Sequence, residues 1–275
     1  MVNLGLIRRA WLEMRGPTIA FGLAAMVVST MIHFALPRFQ KSLEAFQLPA
    51  SRLMNLNNLR SAMLGTDVSN AAGREIAAGV AWSHPFFLAL VFAHIITVCT
   101  RVPAGEVDKG TMDVLLGLPV SRLQLFVSET IAAVGTSCMV IVLSVIGSRI
   151  GNSMAPEGMT PDLGRVVMVA AVLMLLVAAV GAIAMLFSTI TDRRMRAVAA
   201  VLMVVVASLL LNYLGLIWEP AKKAVFLSLL NYYRPIGPLG QGAWPLRDMA
   251  VLGGIAGAVW LAAGAWFSRR DLSTT

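Results

Sequence analysis

Apolar runs of about 20 residues recur along this chain, each long enough at 1.5 Å per helical residue to cross the hydrocarbon core of a bilayer. Six stretches meet that requirement: 17–36, 77–100, 130–148, 166–191, 197–217 and 249–267. None of them contains Asp, Glu, Lys or Arg, and each such charge near the bilayer centre costs about 2.5 to 3.5 kcal/mol on insertion scales. The pattern predicts an all-α integral membrane protein with six transmembrane helices, a single transmembrane domain over 1–275. An even number of spans puts both termini on the same side.

The segments between the runs have patterns of their own. Residues 1–16 carry Leu4, Ile7, Trp11 and Met14 at helical spacing with Arg8, Arg9 and Arg15 between them, which predicts an N-terminal amphipathic interfacial helix. Residues 37–76 are expected to form a long outer loop, with Phe39, Leu43 and Phe46 marking another amphipathic turn. Residues 219–247 are apolar but too short and interrupted to span, and are expected to dip into the outer leaflet and return. In the loop 102–122 the charges sit at one end. A short helical stretch follows with Met112, Leu115 and Leu116 on one face, and then a Gly-x-Pro stop. Such a helix, braced by spans at both ends, is either a lever for a partner that grips it or an ordinary loop resting on the headgroups. No internal repeat or low-complexity tract is present.

Composition agrees with lipid as the solvent: 58% of residues are apolar, 13% are charged and mean hydropathy is +0.78. The net charge of +8 does not point to nucleic acid, because the 22 Lys and Arg are scattered between apolar runs and form no single basic face. Cys99 and Cys138 both fall inside apolar runs and read as packing residues, with no local partner for a disulfide or a zinc site. The basic start leads into a run of full spanning length, so the first span is expected to be retained. Orientation is set by few residues. With the termini inside, the inner segments hold Arg8, Arg9, Arg15, Arg101, Lys109, Arg122, Arg193, Arg194, Arg196, Arg269 and Arg270, eleven of the 22. The tie is broken by the clusters at 193–196 and 269–270, which lie directly against spans where the positive-inside rule has most weight, and cytoplasmic termini are expected.

Glu106-x-x-x-Gly110-Thr111, then Leu115-Leu116, then Pro119-Val120-Ser121-Arg122 resembles the first cytoplasmic loop of ABC exporter permeases of the second type. The close Trp266-Phe267-Ser268-Arg269-Arg270-Asp271-Leu272 is similar to that family's habitual ending. The resemblance implies a membrane-spanning subunit in a plasma membrane of the bacterial inner-membrane type, paired as a homodimer or heterodimer with a second permease chain. A cytoplasmic ABC ATPase would sit under the loops. It also implies that Glu106, Gly110, Thr111, Leu115, Leu116, Pro119 and Arg122 make or support the coupling contact, braced by residues near Trp11. The loop would then hold a short cytoplasmic coupling helix between the second and third spans. One departure is visible: where the family often carries a Lys, this chain has Glu129, so its charge pairing must differ, with Arg122 on the same helical side as the expected partner.

The chain is not expected to bind a cofactor of its own; ATP and Mg would belong to the partner subunit. Gly105 to Met112 has the Gly-x4-Gly spacing of a phosphate loop, but Thr111 and Met112 stand where Lys and Ser or Thr are required. Without that Lys there is no point charge for the β and γ phosphates. His94 lies deep in the second span and is a candidate for the transport pathway, or a neutral His bonded to a neighbouring helix. Gly253, Gly257 and Gly264 share one side of the last span and suit close helix packing or a dimer face. Trp218, Tyr232, Tyr233 and Trp244 fit an outer aromatic belt. The spans offer almost no charge with which to hold an ion or sugar, which favours an apolar or amphiphilic cargo. An intramembrane enzyme would need a Ser or Asp set with His at midplane, and a secondary transporter usually shows repeats; neither pattern is present.

Overall fold

The computed structural model describes residues 3–45, 73–117, 119–155 and 160–270, and among these every regular element is helical. The order is α1 (Leu4–Ala45), α2 (Gly73–Trp82), α3 (Pro85–Cys99), α4 (Glu106–Asp108), α5 (Met112–Leu116), α6 (Arg122–Ser153), α7 (Leu163–Ile190), α8 (Arg194–Ile217), α9 (Glu219–Ala224), α10 (Ile236–Gln241) and α11 (Leu246–Arg269). Six helical stretches are long and apolar enough to cross a membrane, and they coincide with the six apolar runs to within a few residues at most ends.

The most apolar of them stands in the middle. Helix α7 has a mean hydropathy of 3.0 with 61% of its apolar window buried, and it touches α3, α6, α8 and α11. A helix that is apolar all round has no solvent face to present, so the interior is its place. Only 17% of the equivalent window of α8 is buried, and the outward side chains of α8, such as Met203 and Leu210, are left for lipid or another chain.

Residues 4–16 do not form a helix of their own. Helix α1 passes through Pro17 and Pro37 without ending, and its 42 residues reach about 63 Å at 1.5 Å each, twice the hydrocarbon thickness of about 30 Å. The expected stripe is also divided. Met14 is buried together with Leu6 and Ala10, while Leu4 is 79% and Trp11 41% exposed. What carries α1 past two prolines is its seam with α6, its most extensive contact. The seam is close because Gly147 and Gly151 present no side chain: a Cβ at either would meet the backbone of Met26 or Thr30. Ser29 Oγ and Thr30 Oγ1 donate across it to the carbonyls of Ser144 (2.9 Å) and Gly147 (3.1 Å). The outer-loop expectation for 37–76 changes too, since α1 takes in residues up to Ala45; Phe46 lies outside the described residues.

The second span is two helices. His84 is extended (φ −61°, ψ 128°) and Pro85 opens α3 at the first helical position, which its missing N–H suits. Trp82, fully buried, fixes the break by edge-to-face contacts with His33 of α1 and Phe87 of α3, at 5.6 and 5.4 Å between centroids. Between α8 and α11 the chain does not span. Phe226 and Leu227 face outward, Leu229 and Leu230 turn inward, and Ser228 Oγ donates to the Ser208 carbonyl at 2.8 Å. Tyr233 is no belt residue: it is 4% exposed, and its hydroxyl donates to the Trp82 carbonyl at 3.2 Å. Burial pushes that phenol well above its usual value, so it remains a neutral donor. Cys99 is buried as expected, whereas Cys138 faces out of the bundle.

Candidate functional site

Between the second and third spans the chain leaves α3 through Arg101–Gly105, where Val102 is extended (φ −126°, ψ 131°) and the Val102–Pro103 peptide is cis. Two short helices follow, α4 and α5. Gly110 turns the chain between them in the left-handed region (φ 70°), where any other L-residue would cost about 1 to 2 kcal/mol. The turn places Thr111 back over α4: its N–H donates to the Glu106 carbonyl at 2.9 Å and its Oγ1 to the Glu106 carboxylate at 2.7 Å. Glu106, Gly110 and Thr111 are thus one structural unit, which accounts for their spacing.

Met112 and Leu115 bury the inner face of α5, while Val114 on the opposite face is 73% exposed. The outward surface of the turn is completed by Asp108, Lys109 and Gly110. Leu116 lies in α5, but its side chain and all of Leu118 fall outside the described residues. Pro119 is exposed, and Ser121 begins α6 with a reciprocal cap, accepting from the Gln124 N–H while Gln124 accepts from its own.

Ionic contacts tie this turn to α1. Arg9 Nη2 lies 3.8 Å from the Glu106 carboxylate and Arg9 Nε pairs with Glu13 at 2.7 Å. Arg101 is bound on both sides, by Glu13 of α1 and by Glu129 of α6. Arg122, the expected partner of Glu129, instead donates to the Arg270 carbonyl at the end of α11. Distance along α6 explains the difference: Arg101 emerges from α3 directly opposite Glu129, while Arg122 lies two turns back and faces the chain's last described residue. Arg270 in turn pairs with Asp192, and Arg194 Nη2 donates to the Thr97 carbonyl at 2.9 Å. The turn, the start of α1 and the end of α11 therefore share one end of the bundle, so two motifs about 150 residues apart in sequence meet there.

A family model for ABC-2 family transporter proteins matches residues 18–271, nearly the whole chain. The chain belongs to that family. Comparison with curated proteins found no match. As a membrane domain of this family the ABC-2 permease is a transport component embedded in the bilayer by its six spans.

The remaining candidates of the permease are scattered. His94 is buried between α1 and α3, with Nε2 3.2 Å from Thr18 Oγ1. Gly264 packs on Phe126, but a Cβ at Gly253 or Gly257 would meet nothing within 4 Å, so these two glycines border open space. Arg9, which the sequence places in the amphipathic start, and Arg101, which enters there only as a charge, hold the turn in place. The i, i+4 spacing of Arg9 and Glu13 was visible in sequence. The reach of Arg101 across 88 positions to Glu13 was not.

Proposed function

We propose that the permease is the membrane half of an ATP-driven exporter, with both termini cytoplasmic and a separate ABC ATPase seated under the turn 106–116. A second permease chain, identical or related, completes the assembly in the plasma membrane. The observation that carries this reading is the turn itself. Its inner face is tied to α1 by Glu106 and Arg9, and its outer face offers Val114 and Asp108. A rigid two-sided element transmits force, whereas a loosely held loop would absorb it. ATP-driven closure of the partner would draw the turns together and shift α3 and α6, to which each turn is joined.

The cargo is proposed to be apolar or amphiphilic. A cavity of about 310 Å³ lies between α3 and α8, lined by Leu88, Phe92, Val205 and Leu209 with Ser83, Asn212 and Tyr213 among them. Walls of that kind suit an apolar body with a few hydrogen-bonding groups and offer no counter-ion. The test is co-purification with a cytoplasmic ABC ATPase, sought first among the genes neighbouring this one, followed by ATP turnover and transport in proteoliposomes. Gly110→Pro cannot adopt a φ of +70°, and Glu106→Arg opposes Arg9; both should abolish transport while the chain still inserts and the ATPase still hydrolyses. Undiminished transport in both variants would refute the coupling role of the turn.

A further inference from the structure

At the end of the bundle that carries the termini, α1, the end of α3 and the start of α8 enclose a cavity of about 510 Å³. Four cations line it, Arg9, Arg101, Lys109 and Arg194, against two carboxylates, Glu13 and Glu106. Glu129, bound to the far side of Arg101, takes a further share of that charge. Even counting Glu129, one positive charge is in excess.

The donors are not used up by these carboxylates. Arg9 Nη1 and Arg101 Nε are buried with no hydrogen-bond partner among the described residues. The Lys109 side chain makes no ion pair among them, and Arg194 pairs with a carbonyl, not with a carboxylate. An unpaired buried donor on a charged group is costly, and an oxyanion with several acceptor oxygens relieves it. Metal cations are excluded by the sign of the field. On the side toward the spans the cavity ends at Pro17 and at the buried Met14 and Val98, so the site is closed there and takes only the charged part of a ligand. The cavity lies at the helix ends, the level of lipid headgroups, where the phosphate of a bilayer lipid is the oxyanion at hand.

We propose that this cavity holds the headgroup phosphate of an anionic phospholipid, with its acyl chains in the surrounding bilayer. The lipid then becomes a component of the coupling region, bridging the turn through Lys109 to α8 through Arg194. The proposal is independent of the transport reading, because binding is measured on the permease alone and without regard to which face is cytoplasmic.

The full-length chain in detergent is titrated with phosphatidylglycerol or with phosphatidylcholine of the same acyl chains, and bound lipid is read by native mass spectrometry. Phosphatidylglycerol should bind at least about tenfold more tightly, the equivalent of one charge-assisted hydrogen bond. Lys109→Gln and Arg194→Gln should each remove most of that preference, while Lys223→Gln, in α9, should not. Lys109→Gln breaks no ion pair within the chain, so it decides the matter if the arginine variant fails to fold. Equal binding of the two lipids, or an unchanged preference in Lys109→Gln, would overturn the proposal. So would inorganic phosphate competing with phosphatidylglycerol at comparable concentration, which would mark a site for the free oxyanion.

Discussion

Replacing Arg101 with Gln removes the cation that bridges Glu13 and Glu129. The two carboxylates are affected unequally. Glu13 is 38% exposed in its side chain and loses a contact worth no more than about 1 kcal/mol. Glu129 is only 6% exposed and is left as an unpaired buried charge, for which breaking a buried pair costs about 3 to 5 kcal/mol. At roughly 2 to 4 °C per kcal/mol for a domain of comparable size, the unfolding midpoint should fall by roughly 6 to 20 °C. Arg101→Leu combined with Glu129→Leu should restore most of it, because a buried ion pair replaced by apolar groups of similar volume is often neutral. The assay is thermal unfolding of the purified chain in detergent, followed by intrinsic fluorescence, for both single variants and the double variant. A single-variant shift under about 2 °C, or a double variant as unstable as the sum of the singles, would refute the reasoning.

Gly147→Ala should destabilise the chain by about 1 to 3 kcal/mol, since its methyl would press on the Met26 backbone of α1, which cannot step aside. Gly253→Ala, with nothing within 4 Å, should leave the monomer unchanged in the same unfolding assay; a loss of dimer in that variant by size-exclusion light scattering would mark the face as an interface. Tyr233→Phe should cost about 0.5 to 1.5 kcal/mol through the lost bond to the Trp82 carbonyl, read as a lower unfolding midpoint.

The six spans were legible because a bilayer imposes a length on any apolar helix, and runs such as 166–191 have no other use for so many Val, Leu and Ala. The sequence marks Glu106, Gly110 and Thr111 only as a spacing that resembles the family's; that the spacing encodes a turn closed by Thr111 on Glu106 is visible only in the structure. Contacts made across the bundle were not legible. Glu129 stands out in the sequence as a departure, yet its partner Arg101 is 28 positions away, and the nearer Arg122 on the same helix is an equally suitable partner by spacing alone. Gly16-Pro17 read as a boundary, but the loss of one backbone bond, about 3 kcal/mol, is outweighed by packing along the α6 seam. That seam rests on Gly147-x-x-x-Gly151, a close-approach signal present in the sequence. By spacing alone it does not stand out from the glycines of the last span, two of which border open space.

The turn can be located directly by labelling. With Cys99 and Cys138 replaced by Ala, a single Val114→Cys places a thiol on the exposed face of α5. A membrane-impermeant maleimide should leave this thiol unmodified in intact cells and modify it in inverted vesicles, with protection when the ATPase is bound. Labelling in intact cells would put the turn on the outer face, where no ATPase could reach it, and would contradict the account.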